Sequence, residues 1–381
     1  MKKSLIFCLT GLLILMLNMN AFAATNDNTA QFAKFGGLSY NYESNVFNSP
    51  EAVGLQTGLV KSDSFLLYNA GFNINGHWDK ANLYKVRYEY VGTNFSNYSV
   101  LNDSIQKVNF SYTHKFNKSW ELNTGAIIKR KDRNDIDIFG VPFSTDYSYQ
   151  KLSYGADLSY RINPDKGNFN EKLGRTDIKL SYWQDDKNYG TSLYDYAMGT
   201  IGLRLKQKLG KNFQLGIGYD HSTQNYDNEL AKTSGGVDNS SGILREQTYQ
   251  IATWGFDWNI TKHAALGFDY SNKTRRDPYA GYYSYDANIY ALGFGYNFSK
   301  NTKLSLKAKY EPRAYKLYGT PPLTEDYLDL SCDFTHKFSS NFTFFTQFSM
   351  NNRDTNATDT AATTDLSYLD SSISSGVRIS F

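Results

Sequence analysis

A carboxylate next to an imidazole is the pairing in this sequence that could carry acid–base chemistry. The chain has five His, and one of them, His221, directly follows Asp220. We interpret this pair as accidental, and no Ser, His and Asn can be combined by spacing into a phospholipase-like site. We therefore assign no catalytic residue and expect no enzyme. The other His lie at predicted turns, where we interpret them as interfacial: His77, His114, His263 and His336.

Cysteine offers no metal or redox chemistry. Cys8 lies inside the apolar run that follows Lys2 and Lys3, which leaves Cys332 as the single cysteine of the mature chain. One cysteine cannot form an internal disulfide, and it excludes Cys-rich metal sites and c-type haem attachment. We predict no metal site and no cofactor.

The N-terminus has the layout of a secretory signal peptide. Lys2 and Lys3 precede an apolar run from Leu5 to Leu17, and Ala21-Phe22-Ala23 is a small-residue cleavage site. The run is shorter than the roughly twenty residues that a spanning helix needs. We expect residues 1–23 to be removed near Ala23, residues 24–34 to form a short periplasmic segment, and residues 35–381 to form one domain.

That domain shows alternation with a period of two, which predicts β-strands. Between residues 364 and 381, Leu369, Ile373 and Val377 share one face, whereas Asp370 and Arg378 share the other. An Arg that faced lipid at the midplane would cost roughly 2–4 kcal/mol, so the apolar face must be the lipid-facing one. An apolar content of only 40% with 16% aromatic residues is typical of a transmembrane β-barrel. A soluble β-sandwich is the alternative.

Connections between the predicted strands alternate in length. A tight turn with a Lys or Asn before an apolar residue recurs, as in Lys115-Phe116-Asn117 and Lys337-Phe338-Ser339, and longer polar connections lie between such turns. Short periplasmic turns and long extracellular loops are typical of an antiparallel up-and-down β-barrel. The predicted strands, about sixteen, span residues 35–43, 64–76, 82–91, 104–116, 119–130, 147–162, 175–184, 194–208, 212–222, 247–260, 263–273, 284–298, 302–311, 326–338, 341–351 and 366–381.

The two ends of the domain resemble known families. Tyr42-Glu43-Ser44-Asn45-Val46-Phe47 resembles the opening Tyr-x-Ser-Asn-Val-Phe strand of outer-membrane β-barrel porins and, more weakly, the barrels of surface lipoprotein assembly modifiers. The closing residues up to Phe381 resemble the signature that outer-membrane proteins present to the barrel-assembly machinery. This resemblance implies the bacterial outer membrane as location, with its lipid and lipopolysaccharide as surroundings and Phe381 as the assembly signal.

Charged residues on the predicted lumen face are the candidate functional residues. Bases dominate the first half and acids the following strands, where Lys307 and Lys309 interrupt the acids, so our hypothesis is a transverse field between a basic and an acidic wall. The alternative is that these charges only pair with one another and bind water. The pore-lining candidates are Lys85, Arg87, Lys107, Lys129, Lys151, Arg161, Lys179, Arg204, Lys206, Asp220, Asp257, Asp269, Asp329 and Asp333.

The third extracellular connection is unusually apolar for a solvated loop. We predict that it folds into the lumen as a constriction, with Asp135, Asp137, Phe139 and Phe143 as candidates, and that deletion of residues 134–143 raises conductance. Packing on the rim or on a second protomer of a homo-oligomer is the alternative.

A barrel of this size predicts a porin-like channel for passive diffusion of small hydrophilic solutes or ions. The alternatives are a dedicated export barrel for polysaccharide or a surface protein, and a structural barrel around a partner protein. The formal charge of +3 includes Lys2 and Lys3 and gives no reason to expect nucleic-acid binding.

Overall fold

The computed structural model describes most of the predicted barrel. It covers residues 30–46, 62–133, 148–162, 173–318, 322–356, 358–359, 364–365 and 367–381. The predicted signal peptide lies outside these residues. In the part of the chain that is described, no helix is long and apolar enough to cross a membrane.

Sixteen long strands close into one antiparallel barrel, which confirms the predicted fold class. Each strand pairs with its neighbours in sequence, and β1 closes the barrel on β18. Two-residue strands β16 and β17 pair only with each other. The strands are β1 Gln31–Glu43, β2 Asp63–His77, β3 Asn82–Phe95, β4 Asp103–Lys115, β5 Trp120–Arg133, β6 Tyr149–Ile162, β7 Leu173–Tyr189, β8 Tyr196–Leu209, β9 Phe213–Leu230, β10 Leu244–Asn259, β11 Ala264–Arg276, β12 Tyr285–Asn297, β13 Thr302–Tyr315, β14 Thr324–Lys337, β15 Phe342–Thr355, β16 Thr358–Asp359, β17 Thr364–Asp365 and β18 Tyr368–Ser380.

Register assigns every strand residue to the inside or the outside of the barrel. Direct partners across a sheet share a face, and successive residues alternate between faces. Leu203, Ile217 and Ile373 belong to the outer face and are 52%, 59% and 50% exposed, because no protein covers them. A continuous exposed apolar surface of this extent is typical of contact with lipid.

Aromatic side chains mark both edges of this apolar surface. At the end with the short turns, here called the turn end, Phe298 and Phe338 point outward and are exposed. Nearer the opposite, loop end, the outer face carries exposed Tyr40, Tyr182 and Tyr290. Tyr290 and Phe298 lie about 20 Å apart along the barrel axis at the rise and tilt usual for such strands. The spacing fits the apolar band of outer-membrane barrels, which is about 25 Å tall.

The repeated tight turns share a side-chain acceptor. Asn117 Oδ1 accepts hydrogen bonds from the backbone N–H groups of Ser119 and Trp120, at 2.8 and 2.9 Å. Thr261, Ser299 and Ser339 accept the same pair of bonds in their own turns. Such local bonds stabilise a turn by satisfying backbone groups that the sheet leaves unpaired.

Two turns differ from this pattern in the residue that they use. Asp79 Oδ1 accepts from Ala81 and Asn82 N–H, at 2.7 and 2.8 Å, and Asp79 Oδ2 accepts from the Asn82 side chain at 2.6 Å. These bonds, first that from the Asn82 side chain, hold the pKa of the Asp79 carboxyl below its ordinary value. The turn at Gly210 instead uses a φ of 66°, which glycine adopts without a steric cost.

Several strands extend further than the sequence predicts. β1 begins at Gln31 rather than at residue 35, so part of the expected periplasmic segment is strand. β7 continues to Tyr189 and β9 to Leu230, whereas the prediction ended them at 184 and 222. The apolar alternation stops where a strand leaves the lipid-facing band, but the hydrogen-bond ladder continues above it. The first and last strands of the barrel meet at the turn end, where Lys34 and Phe381 exchange two backbone hydrogen bonds of 3.0 and 2.8 Å.

Candidate functional site

The inner face of the barrel gathers the predicted pore-lining residues. Register pairs Lys85 with Ser111, Arg87 with Asn109 and Asp329 with Lys309, all on the face opposite the exposed apolar one. The same alternation puts every pore-lining candidate named from the sequence on this inner wall. The constriction candidates Asp135, Asp137, Phe139 and Phe143 lie outside the described residues, and their role stays a prediction.

Many of the basic candidates have a carboxylate partner. Lys179 Nζ lies 3.1 Å from Asp157 Oδ2, and Arg204 reaches across from β8 to Asp220 on β9 at 3.1 Å. Such half-exposed pairs contribute little to stability, but they cancel charge locally. The other pairs join Arg87 to Glu89 at 3.2 Å, Arg161 to Glu121 at 3.1 Å and Lys151 to Asp185 at 2.9 Å. The alternative prediction, that lumen charges pair with one another, therefore holds for part of the wall.

Asp220 and His221 lie on opposite faces of β9. Asp220 pairs across the sheet with Gly202 on the inner wall, whereas His221 pairs with Ile201, which is 55% exposed on the outer face. An acid–base pair would need both side chains at one substrate. The geometry agrees with the interpretation of this pair as accidental. Within the described ranges, no three His, Cys, Asp or Glu residues group so that they could hold a metal ion.

The remaining His contact the turns. His114 Nδ1 lies 2.7 Å from Asn82 Oδ1 and its ring packs edge-on against Phe116, with centroids 4.5 Å apart. His336 repeats this setting, with Nδ1 2.8 Å from Thr302 Oγ1 and its ring edge-on to Phe338. The matching sequence contexts thus produce matching structures at the turn end.

Four lysines form one continuous line on the inner wall across β4 to β7. Lys107 is the direct partner of Lys129, Lys129 is the partner of Lys151, and Lys151 is the partner of Lys187. Like charges directly opposite one another destabilise a sheet. Of the four, only Lys151 has a carboxylate partner in the described part of the chain. We call these four residues the lysine row.

Tyrosine rings flank the upper end of the lysine row. Lys187 Nζ lies 4.1 Å from the ring centroid of Tyr149 and 4.5 Å from that of Tyr189. Lys129 Nζ lies 5.4 Å from the Tyr149 ring. Contacts of this length with a ring face stabilise a cation without neutralising it. The rings therefore hold two of the ammonium groups in place while their charge stays available to a solute.

A second arrangement of tyrosines and cations lines the loop end of the other strands. Arg245 lies 3.9 Å from the Tyr283 ring, and Arg275 lies 4.5 Å from the Tyr285 ring. Unlike the lysine row, this region contains buried carboxylates. Glu325 is 4% exposed and accepts from Arg353 at 2.5 Å and from the Tyr315 hydroxyl at 3.2 Å.

The expected acidic wall is not what the structure shows. Asp257, Asp269, Asp329 and Asp333 do lie on the inner wall, and Asp269 and Asp329 line one depression of about 420 Å³. However, strands β11 to β18 also present bases there, so that their charges are mixed. The inward bases of this half are Lys273, Arg275, Lys303, Lys307, Lys309, Arg313, Lys337, Arg353 and Arg378. The predicted acidic wall is therefore wrong, and only the predicted basic wall is left.

Sequence reasoning missed the bases nearest the loop end. Lys187, Arg275, Arg313 and Arg353 each lie beyond the predicted end of their strand. Their alternation with outward residues continues unbroken, as in Asp185, Asp186 and Lys187. The outward residues there, such as Asp186, are mostly polar, so no apolar pattern in the sequence marks these positions as strand.

Solved outer-membrane proteins share this fold, although their sequences are only distantly similar. Residues 210–380 match the family described as "Protein of unknown function, DUF481", and no curated protein sequence matches the chain. Among solved structures, OmpT of Vibrio cholerae is similar with a TM-score of 0.50 at 12% identity, covering 94% of this chain and 99% of OmpT. OccAB1 of Acinetobacter baumannii gives 0.51 at 11% identity, covering 92% and 97%. The fold is that of an outer-membrane β-barrel.

Proposed function

We propose that this chain is a channel of the bacterial outer membrane through which small hydrophilic solutes or ions diffuse. The observation that carries the proposal is a closed barrel whose outer face is apolar and whose inner face carries charged or amide side chains on most strands. Sixteen strands at the usual spacing and tilt give a backbone radius of about 16 Å. A ring of this width is too wide for side chains alone to fill.

The pore-lining candidates named above supply the polar surface that water needs. Charged and amide side chains replace part of a solute's hydration and keep the wall wetted. Among the described residues, all sixteen long strands belong to the wall. We assign the turn end to the periplasm and the loop end to the cell exterior, because outer-membrane barrels have short periplasmic turns and longer extracellular loops.

One feature of β9 argues against an acid–base site. The separation of Asp220 from His221 leaves that pair without a shared substrate position. The resemblance of the solved structures extends to fold alone, so transport is inferred from this chain's own inner wall.

Liposome swelling tests this function. The folded protein is reconstituted into liposomes that are then diluted into isotonic sugars of increasing size. A channel gives fast swelling with small sugars and a size above which swelling stops. A dedicated exporter or a barrel filled by a partner gives no swelling with any sugar, and this outcome would refute the proposal.

The location and processing of the chain form part of the same proposal. We infer that residues 1–23 are a signal peptide, that Phe381 serves as the assembly signal, and that the mature barrel is surrounded by outer-membrane lipid and lipopolysaccharide. The exposed outward Phe338 and Phe381 are suited to the interfacial region of a bilayer. Intact-mass measurement of the protein from outer membranes should give a chain that starts at Ala24.

A further inference from the structure

We propose that the lysine row, Lys107, Lys129, Lys151 and Lys187, is a binding site for a multivalent anion that carries two or more phosphate or carboxylate groups. The proposal deepens the channel function and rests on it for the passage of the anion. Binding itself can be measured without transport.

The spacing of the row selects an anion with several charges. Adjacent strands lie about 4.8 Å apart, so the row spans about 14 Å from β4 to β7. Each lysine is the direct partner of the next, and all four side chains are half-buried against the wall. A monovalent anion meets one or two ammonium groups at a time, whereas an extended anion meets several.

The carboxylates nearest the row are already engaged. Glu89, the cross-strand partner of Lys107, binds Arg87 at 3.2 Å. Asp185 binds Lys151 at 2.9 Å, and Asp103, higher on the same wall, binds Lys131 at 2.8 Å.

Three ammonium groups of the row therefore form no ion pair with a carboxylate in the described part of the chain. They are those of Lys107, Lys129 and Lys187. A bound anion would remove the repulsion between these neighbouring charges.

The row leads inward from the outer opening. Lys187 is the direct partner of Tyr196, the first residue of β8, so this end of the row reaches the loop end of the barrel. From there the row descends strand by strand to Lys107 on β4. A solute that entered from the loop end would meet Lys187, held against Tyr149 and Tyr189, before the other three.

Several other bases of the inner wall are neutralised. Glu311 accepts from Lys309 at 2.6 Å and from Arg313 at 2.8 Å, and Glu325 binds Arg353. The row differs from other inner-wall bases without an ion pair, such as Lys115 and Lys303, because its lysines are direct cross-strand partners of one another. They are a local arrangement in which charge repulsion is left unrelieved.

Calorimetric titration of the folded barrel in detergent with tripolyphosphate tests the site. The test variant is Lys107→Gln with Lys129→Gln and Lys187→Gln, which keeps the Lys151–Asp185 pair. The matched control is Lys115→Gln with Lys208→Gln and Lys303→Gln, which removes the same charge from exposed inner-wall lysines at the turn end. We expect the unmodified barrel to bind tripolyphosphate about tenfold or more tightly than orthophosphate, and the test variant to lose about tenfold or more in affinity, against less than about twofold in the control.

Absence of tripolyphosphate binding by the unmodified barrel would overturn the proposal, as would equal loss in the two variants. Channel recordings separate this from the proposed function. A channel that conducts salt but is neither bound nor blocked by tripolyphosphate refutes the site and leaves the channel. A barrel that binds tripolyphosphate at the row without conducting supports the site and refutes the channel.

Discussion

Lys129 on β5 and Lys151 on β6 are direct cross-strand partners that place two ammonium groups side by side on the inner wall. Lys151 has Asp185 at 2.9 Å, whereas Lys129 contacts Tyr149, with its Nζ 5.4 Å from the ring centroid, and has no ion-pair partner among the described residues. A sheet selected for stability alone would oppose unlike charges at these positions. The arrangement implies that stability is reduced in favour of function at this place.

Replacement of Lys129 should therefore stabilise the barrel. We expect Lys129→Gln to raise the free energy of unfolding by about 0.3–1 kcal/mol at low salt, with a smaller gain in high salt because salt screens the repulsion. Urea unfolding in lipid vesicles measures this change. Lys303→Gln is the control, because Lys303 faces Asn297 and Thr335 and should leave stability unchanged. A lower midpoint for Lys129→Gln would contradict the explanation.

A charged side chain should destabilise the barrel far more on its outer face than on its inner face. Leu203 points outward in the middle of β8 and is half exposed, so Leu203→Arg should cost about 2–4 kcal/mol in a bilayer. Thr200 lies on the inner face of the same strand, where its Oγ1 is 2.8 Å from Ser222 Oγ. Thr200→Arg should cost far less, since the new side chain reaches water. Equal costs from equilibrium unfolding in vesicles would mean that the faces are wrongly assigned.

The turn acceptors should matter as hydrogen-bond acceptors rather than as particular residues. Asn117→Ala leaves the Ser119 and Trp120 N–H groups without their side-chain partner, for an expected cost of about 1 kcal/mol. Asn117→Asp should retain most of the stability, because Asp79 fills the same role in its own turn. Thermal unfolding of both variants distinguishes them, and indistinguishable midpoints would argue against the acceptor role.

Neutralising Glu325 should destabilise the barrel more than neutralising Asp333, another carboxylate of the inner wall. Glu325→Gln weakens the bonds to Arg353 and Tyr315 around a group that is 4% exposed, and we expect a loss of about 1–3 kcal/mol. Asp333→Asn, which changes an inner-wall carboxylate facing Ser305 and Gln347, should change stability by less than about 0.5 kcal/mol. If both variants unfold at the same urea concentration, the hydrogen bonds of Glu325 with Arg353 and Tyr315 do not stabilise the loop end of the barrel.

Alternation made the fold predictable within the apolar band. Lipid requires an apolar side chain at every second residue there, so β8 was predicted as 194–208 and spans Tyr196–Leu209. The repeated turns were equally visible, because most of them need one short polar residue that accepts the free N–H groups. The same alternation also excludes Asp220 and His221 as a working pair, since neighbours on a strand point to opposite faces.

The loop end was harder to predict because water lies on both faces of the strands there. No apolar pattern marks where Lys187, Arg275, Arg313 and Arg353 stop belonging to a strand. The acidic wall was expected although Lys307 and Lys309 interrupt it within the band, and Arg275, Arg313 and Arg353 add further bases above the band. Cross-strand partners such as Lys129 and Lys151 could not be paired either, because register depends on the shear of the closed barrel.

Single-channel recording in a planar bilayer tests the central claim most directly. The purified mature chain, folded and inserted alone, should produce stepwise openings whose conductance rises in proportion to the salt concentration, as a water-filled pore requires. Insertion of folded barrels without any current step would contradict the account.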